Sequence, residues 1–208
     1  MSSITAPALP HAAPVVYPES DGEPMAENTE LYDWIVRLKT NLDVHLKDAF
    51  VGGDLYWYPV EGAPEIRIAP DVMVALGRPK GPRGSYRTWD EGGVIPQVVF
   101  EIWSPGNTFP HRVNKVRFYE RHGVREFYTY DPESSEFSAW ILDDTGLNPV
   151  DVSEGWVSPL LRIRFERDGG GLVVRGPDGR RFLTAEEIAT EAARLRARLT
   201  AAGIDPDA

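Results

Sequence analysis

Apolar residues first recur with a helical period between Asn28 and Asp48. Leu31, Trp34, Ile35, Leu38 and Leu42 fall at i, i+3, i+4, i+7 and i+11, one stripe along a helix. Asn28 or Thr29 supplies its cap. The pattern then changes to short runs rich in β-branched and aromatic residues, Phe50–Val60, Ile66–Leu76 and Val94–Trp103, which predict three strands between Gly/Pro-rich segments. The connection from Gly77 to Gly93 is long and basic, which favours a functional loop over a plain turn. Ser104-Pro105-Gly106-Asn107 stops the third strand, and a second helix is predicted from His111 to His122 with Gly123 just past its end. Arg125–Tyr130 and Glu136–Leu142 predict further strands around the turn Asp131-Pro132. Residues 143–182 read as short strands and turns, with Gly169–Gly171 as a hairpin turn. Thr184 and Glu187 form a capping box that opens a last helix, striped by Ile188, Ala192, Leu195 and Leu199 and ended by Gly203. This order predicts an α/β fold with helices packed on the faces of a sheet. Residues 1–24 carry five prolines without apolar periodicity and read as an extended or mobile arm. The expected organisation is an arm (1–24), one domain (25–183), and a C-terminal helix with its tail (184–208).

Composition narrows the class. Of 208 residues 42% are hydrophobic, including six Trp and eight Phe, enough to fill a core and to exclude a wholly disordered chain. The absence of cysteine excludes a disulfide scaffold, a thiolate zinc site and a Cys nucleophile. No apolar run approaches the ~20 residues a membrane span requires, and the Ala/Pro-rich start lacks the features of a signal peptide, so a cytoplasmic setting is expected. A net charge of −10 argues against a general binder of nucleic acid or anionic membrane. The charge is uneven, however: residues 71–131 hold nine bases against seven acids. Two basic clusters stand there, Arg78, Lys80, Arg83 and Arg87, then Arg112, Lys115, Arg117, Arg121 and Arg125. They read either as an ordinary solvated surface or as a local phosphate-binding surface on an acidic body.

The candidate chemistry lies in acids set within apolar strands. Asp71 interrupts Ile66–Leu76, and Glu101 interrupts Val98–Trp103. Alternation places Glu101 on one face with Val99 and Trp103, and Val98, Phe100 and Ile102 on the other. Both faces are apolar, as in a central strand covered on both sides. A carboxylate there is costly unless it is paired, hydrogen-bonded or bound to a cation. Two such acids on neighbouring strands meet across ~5 Å, and they raise one another's pKa or recruit positive charge, from Lys115, a metal ion, or both. Oxygen-only ligands suit Mg²⁺ or Mn²⁺. The bland alternative is a strand-end Asp beside a buried Glu–Lys pair with no catalytic role.

Other chemistry finds little support. His11, His45, His111 and His122 show no zinc spacing, although His111 at a helix start is placed to touch a phosphate. No P-loop, dinucleotide fingerprint or nucleophile elbow occurs. Tyr56, Trp57 and Tyr58 read as core and edge packing rather than a base-stacking platform. Glu27 reads as an acid complementing the dipole of the first helix.

Taken together, Ala69-Pro70-Asp71, Gln97–Trp103 with Glu101, Ser104-Pro105, Lys115, Tyr119, Glu126-Phe-Tyr and Asp131-Pro132 resemble the Uma-two family of the PD-(D/E)XK nuclease superfamily. The resemblance spans roughly residues 20–205. It implies a restriction-endonuclease-like core, a mixed central sheet flanked by helices, with a C-terminal helix. It also implies a metal-dependent endonuclease acting on DNA, with Asp71 and Glu101 as the metal-binding acids, Glu27 as an accessory helical acid and Lys115 as the catalytic lysine. Arg83, Arg87, Arg112 and Arg117 are the expected phosphate contacts. The superfamily signature places its lysine two residues after the acid, where this chain has Trp103, and Lys115 matches the family's position on the following helix. That helix often begins with Asp in the family, and here His111 stands there. Two rival readings remain: a catalytically silent nuclease-like module binding nucleic acid or a protein, and a homodimer formed through the last helix.

Overall fold

The computed structural model describes residues 15–20, 28–104, 106–169 and 171–206. In chain order the elements are α1 (Thr29–His45), β1 (Ala49–Gly53), β2 (Trp57–Tyr58), β3 (Val72–Leu76), β4 (Tyr86–Arg87), β5 (Val98–Ile102), α2 (Phe109–Arg121), β6 (Glu126–Asp131), β7 (Glu136–Asp143), β8 (Gly146–Val150), β9 (Trp156–Val157), β10 (Arg164–Asp168), β11 (Gly171–Arg175) and α3 (Ala185–Ala201). Six strands form the central sheet in the order β1-β3-β5-β6-β7-β8. Every neighbouring pair is antiparallel except β5 and β6, which run parallel and are joined through α2. The sheet is therefore mixed, as expected.

Alternation along the strands builds two cores, one on each face. Val72 and Val74 of β3 and Val98, Phe100 and Ile102 of β5 point toward α1, where they meet the stripe Leu31, Trp34, Ile35, Leu38 and Leu42. On the same side, β10 pairs with β9 and β11 in a small antiparallel sheet that contributes Phe165, Leu172 and Val174. Of the short strands expected in residues 143–182, β8 joins the central sheet and β9, β10 and β11 form this small one. Asp168 pairs with Gly171, as the expected hairpin requires. The opposite face carries Met73, Val99, Trp103, Phe127 and Leu147, covered by Tyr119 of α2. Helices thus lie on both faces.

The strand boundaries are tighter than the apolar runs. Phe50–Val60 forms two strands in different sheets, because the backbone turns at Asp54 with a φ of 45° and β2 pairs instead with β4. Of Ile66–Leu76 only Val72–Leu76 joins the central sheet. Pro70 has no N–H to offer a ladder, and Ile68 makes only an isolated bridge with Trp57. Asp71 thus stands just ahead of β3 instead of within it. Residues 15–20 of the expected arm lie in no helix or strand, and Tyr17 packs on Tyr58 at 5.1 Å and on Trp89 at 5.0 Å.

One further acid organises the fold. Glu126 is buried at the start of β6 and accepts hydrogen bonds from Tyr128 Oη at 2.8 Å, Ser158 Oγ at 2.5 Å and Leu160 N at 2.7 Å. It fastens the segment 158–161 to the central sheet. Glu126→Ala would leave those donors unpaired in the interior. It should lower stability by about 3 kcal/mol, read as a fall in Tm on the order of 10 °C in a thermal melt.

Candidate active site

The two acids are brought together by strand register. Val72 pairs with Phe100, Met73 with Val99 and Val74 with Val98; one step further along the antiparallel pair sets Asp71 against Glu101. Because β3 begins only at Val72, the N–H of Ile102 on β5 has no partner on that strand. The Asp71 side chain takes its place, accepting from Ile102 N at 2.6 Å.

Glu101 has no exposure to solvent. Its side chain lies on the α2 face with Val99 and Trp103, the face alternation assigns it. Two residues one turn apart on α2 hold it. Lys115 Nζ is 2.6 Å from Glu101 Oε2, and the Tyr119 hydroxyl donates to Oε1. The other side of the lysine is bounded by the Trp103 ring, 5.6 Å from Nζ to the centroid. Trp103 thus serves as an aromatic wall at the position where the superfamily signature has its lysine. Tyr119 owes its part in the site to the i+4 step from Lys115 on α2, a signal present in the sequence once the helix is placed.

The electrostatics follow from burial. Asp71 is pushed well above the ordinary carboxylate range, first by loss of water and then by the Glu101 charge, against the opposing pull of Lys115 and the Ile102 N–H. Desolvation works to neutralise Lys115, but Glu101, Asp71 and Asp54 outweigh it and raise its pKa, so the side chain is an ammonium at neutral pH. Burial, then the Glu101 charge, drives the Tyr119 phenol well upward; it stays a neutral donor. Asp54 is exposed near this group, its N–H bonded to Asp71 O at 3.1 Å.

The donor set fits a hard divalent cation. Asp71, Glu101 and Asp54 against Lys115 leave two negative charges if all are ionised, and all available ligand atoms are oxygens. Asp71 and Glu101 would hold the ion. Each oxygen of an ionised carboxylate has two acceptor directions, so the bonds from Lys115 and Tyr119 leave part of Glu101 available. Among the described residues no group of three or more His, Asp or Glu gathers as a ready cage. Water and substrate oxygens would complete the shell, as Mg²⁺ commonly requires. Glu27 lies outside the described residues.

The arginines divide. Arg112 sits beside the site, its guanidinium 5.2 Å from the Trp103 centroid and 3.7 Å from Asp131, with Nε bonded to Asn107 O at 3.0 Å. Arg112 and the exposed Arg117 border a cavity of about 560 Å³ between α2 and the sheet, walled by Trp103, Phe109 and Trp140. The acids and Lys115 do not line this cavity; Trp103 is the wall common to both. The loop cluster is engaged elsewhere. Arg83 Nε lies 2.6 Å from Glu91 and its guanidinium covers Phe50 at 4.0 Å, while Arg78 shares Glu91 at 3.0 Å. Lys80 pairs with Asp43 at 3.0 Å, and Arg87 stands 3.9 Å from Asp90 and 5.2 Å from the Tyr17 ring. The structure thus does not bring Arg83 and Arg87 together with Arg112 and Arg117. His111 is exposed, 3.4 Å from the Asn107 amide.

The sequence model of the Uma2 family, described as "Putative restriction endonuclease", matches residues 15–169. The chain belongs to this family. Among solved structures, a putative nuclease belonging to DUF820 from Anabaena variabilis is similar, with 13% identity, 68% of this chain and 79% of that chain covered, and a TM-score of 0.44. No curated protein matches. The Uma2 match contains Asp71, Glu101 and Lys115, and it ends before α3 begins.

The raised pKa of Asp71 has a consequence for stability. In the metal-free protein the folded state holds this proton more tightly than the unfolded chain. The associated stability is complete below the ordinary carboxylate range and is lost as pH rises through the elevated folded pKa. Asp71→Asn keeps an acceptor for Ile102 N–H without the charge. At pH 8 without divalent ions, melts should therefore show a Tm a few degrees above wild type, and the difference should vanish near pH 4. Millimolar Mg²⁺ should raise the Tm of wild type and not that of the variant.

Proposed function

We propose that this protein is a metal-dependent endonuclease that hydrolyses DNA phosphodiester bonds, using Mg²⁺ or Mn²⁺ held by Asp71 and Glu101. The observation that carries the reading is Asp71, just ahead of β3, set opposite Glu101 of β5, with Lys115 Nζ 2.6 Å from Glu101. A bound divalent ion would supply Lewis acidity and lower the pKa of a coordinated water. The remaining roles belong to the chain. Lys115 keeps its proton and therefore acts as a donor, orienting the attacking water and stabilising the added charge on phosphorus. Tyr119 fixes the Glu101 rotamer and, staying neutral, does not compete for charge. Trp103 and the packing of α2 exclude water from the buried side of the pair, which strengthens both interactions. In the net step a water oxygen bonds to phosphorus, the bond from phosphorus to one ester oxygen breaks, and the departing oxygen ends protonated while the water's proton is released. Arg112 and Arg117 border the site where flanking phosphates would lie.

A second reading has its own support. Both Glu101 oxygens already have partners, so the acid is satisfied without a cation, as a silent nuclease-like module would require.

Plasmid cleavage across an Mg²⁺ titration separates the two. Wild type should cut, Asp71→Asn and Glu101→Gln should lose a hundredfold or more, and Lys115→Gln should lose about 10²–10³ in rate. Glu126→Gln, at an equally buried acid outside the site, should retain cleavage once its fold is checked by circular dichroism. DNA binding without cleavage by wild type, or cleavage surviving in Glu101→Gln, would overturn the proposal. Arg117→Ala should weaken binding and reduce the slope of log K against log salt by about 1.

A further inference from the structure

Helix α3 presents a feature that the nuclease reading does not use. It is 17 residues long and none of them is buried. Its start is tied down: Asn41 of α1 accepts from Leu183 N at 3.1 Å and donates to Leu183 O at 2.9 Å, and the Thr184–Glu187 capping box closes the first turn. A single helix of this length is marginal in water unless an apolar face is packed. Yet Ile188, Leu195 and Leu199 remain 37%, 47% and 38% exposed.

The spacing of that face specifies an occupant. Ala185, Ile188, Ala192, Leu195, Leu199 and Ala202 are separated by 3, 4, 3, 4 and 3 residues, the repeat of a coiled-coil seam. The seam is also its own complement when reversed. Set antiparallel to a second copy, Ala185 meets Ala202, Ile188 meets Leu199 and Ala192 meets Leu195, each small residue or branched chain finding a partner in one continuous register. The charges agree. Glu186, Glu187 and Glu191 lie in the first half of the helix, and Arg194, Arg196 and Arg198 in the second. Reversal puts the acidic half of one copy along the basic half of the other, with Glu191 flanking Arg198 across the seam, and it opposes the two helix dipoles. Parallel pairing would instead set the two helix dipoles side by side in the same sense. The present Glu191 partner is Arg194 of the same helix, 3.6 Å away on an exposed surface, a pair weak enough to exchange.

We propose that α3 is a self-association element, pairing antiparallel with α3 of a second copy about a two-fold axis between Ala193 and Arg194. Two helices of this length bury a small interface, so the dimer is concentration-dependent rather than permanent. The pairing is separate from the acids of β3 and β5 and holds whether or not the protein cleaves DNA.

Sedimentation velocity on the full chain from 1 to 200 µM should show a reversible monomer–dimer equilibrium. Leu195→Glu/Leu199→Glu should be monomeric throughout with a nearly unchanged melt, because neither residue belongs to a core cluster among the described residues. Glu191→Arg and Arg198→Glu alone should each weaken dimerisation about fivefold, and the double exchange should restore it. Orientation is read from disulfides in a chain that has no cysteine of its own. The two ends of the seam are about 25 Å apart along one helix. Ala185→Cys mixed with Ala202→Cys should therefore cross-link as a heterodimer on oxidation, while neither variant cross-links alone. A wild type that stays monomeric at 200 µM, a dimer that survives Leu195→Glu/Leu199→Glu, or disulfides between like variants would each overturn the proposal.

Discussion

A carboxylate in the middle of a sheet covered on both faces has no water to solvate it, and the placement of Glu101 is the constraint from which the site follows. Its charge is tolerable only because an ammonium and a phenol reach it from α2, 2.6 Å away in the case of Lys115. Those two donors sit one turn apart on a helix that must lie along this face, because β5 and β6 run parallel and α2 is their crossover. The same connection that makes the sheet mixed thus delivers the counter-charge. Asp71 completes the group for a different reason. β3 begins one residue after it, and its side chain satisfies the N–H that the missing strand backbone leaves unpaired.

The arrangement carries a cost in stability. Two acids across one strand spacing repel each other, and burial aggravates the conflict at Asp71. Lys115 answers for one of the charges. The surplus is what the proposed divalent cation would answer, and it is also what an apolar core would avoid. Glu126 offers a contrast within the same molecule. It is nearly as buried, but it is surrounded by Tyr128, Ser158 and Leu160 as donors, with no second carboxylate opposite. One acid ties the fold together, whereas the other pair holds it in tension.

The basic residues show how far charge counting can mislead. Arg78 and Arg83 share Glu91, and Lys80 meets Asp43 of α1, so most of the loop cluster neutralises acids of this chain. Arg112 and Arg117 stand elsewhere, along the cavity beside Trp103. In sequence the two clusters look alike. What distinguishes them is where the fold sets them: Arg112, although 3.7 Å from Asp131, and Arg117 border the cavity, and the loop cluster does not.

Local periodicity was enough to place α1, α2 and α3, the alternation that turns Glu101 toward α2, and the candidate pair Asp71 and Glu101, because these depend on neighbours within a turn or along a strand. The hairpin that pairs Asp168 with Gly171 and the capping box at Thr184 are local in the same sense. Tertiary structure alone decided that β3 begins after Asp71, that Phe50–Val60 divides between two sheets, and that residues 143–182 divide between β8 of the central sheet and a small sheet of β9, β10 and β11 that packs Phe165 on Phe100 and Tyr128. It also decided that Tyr119 shares Glu101 with Lys115. Those outcomes turn on which segments meet across long stretches of chain, and the free energy of such meetings, in burial lost and hydrogen bonds satisfied, is not written in any one segment.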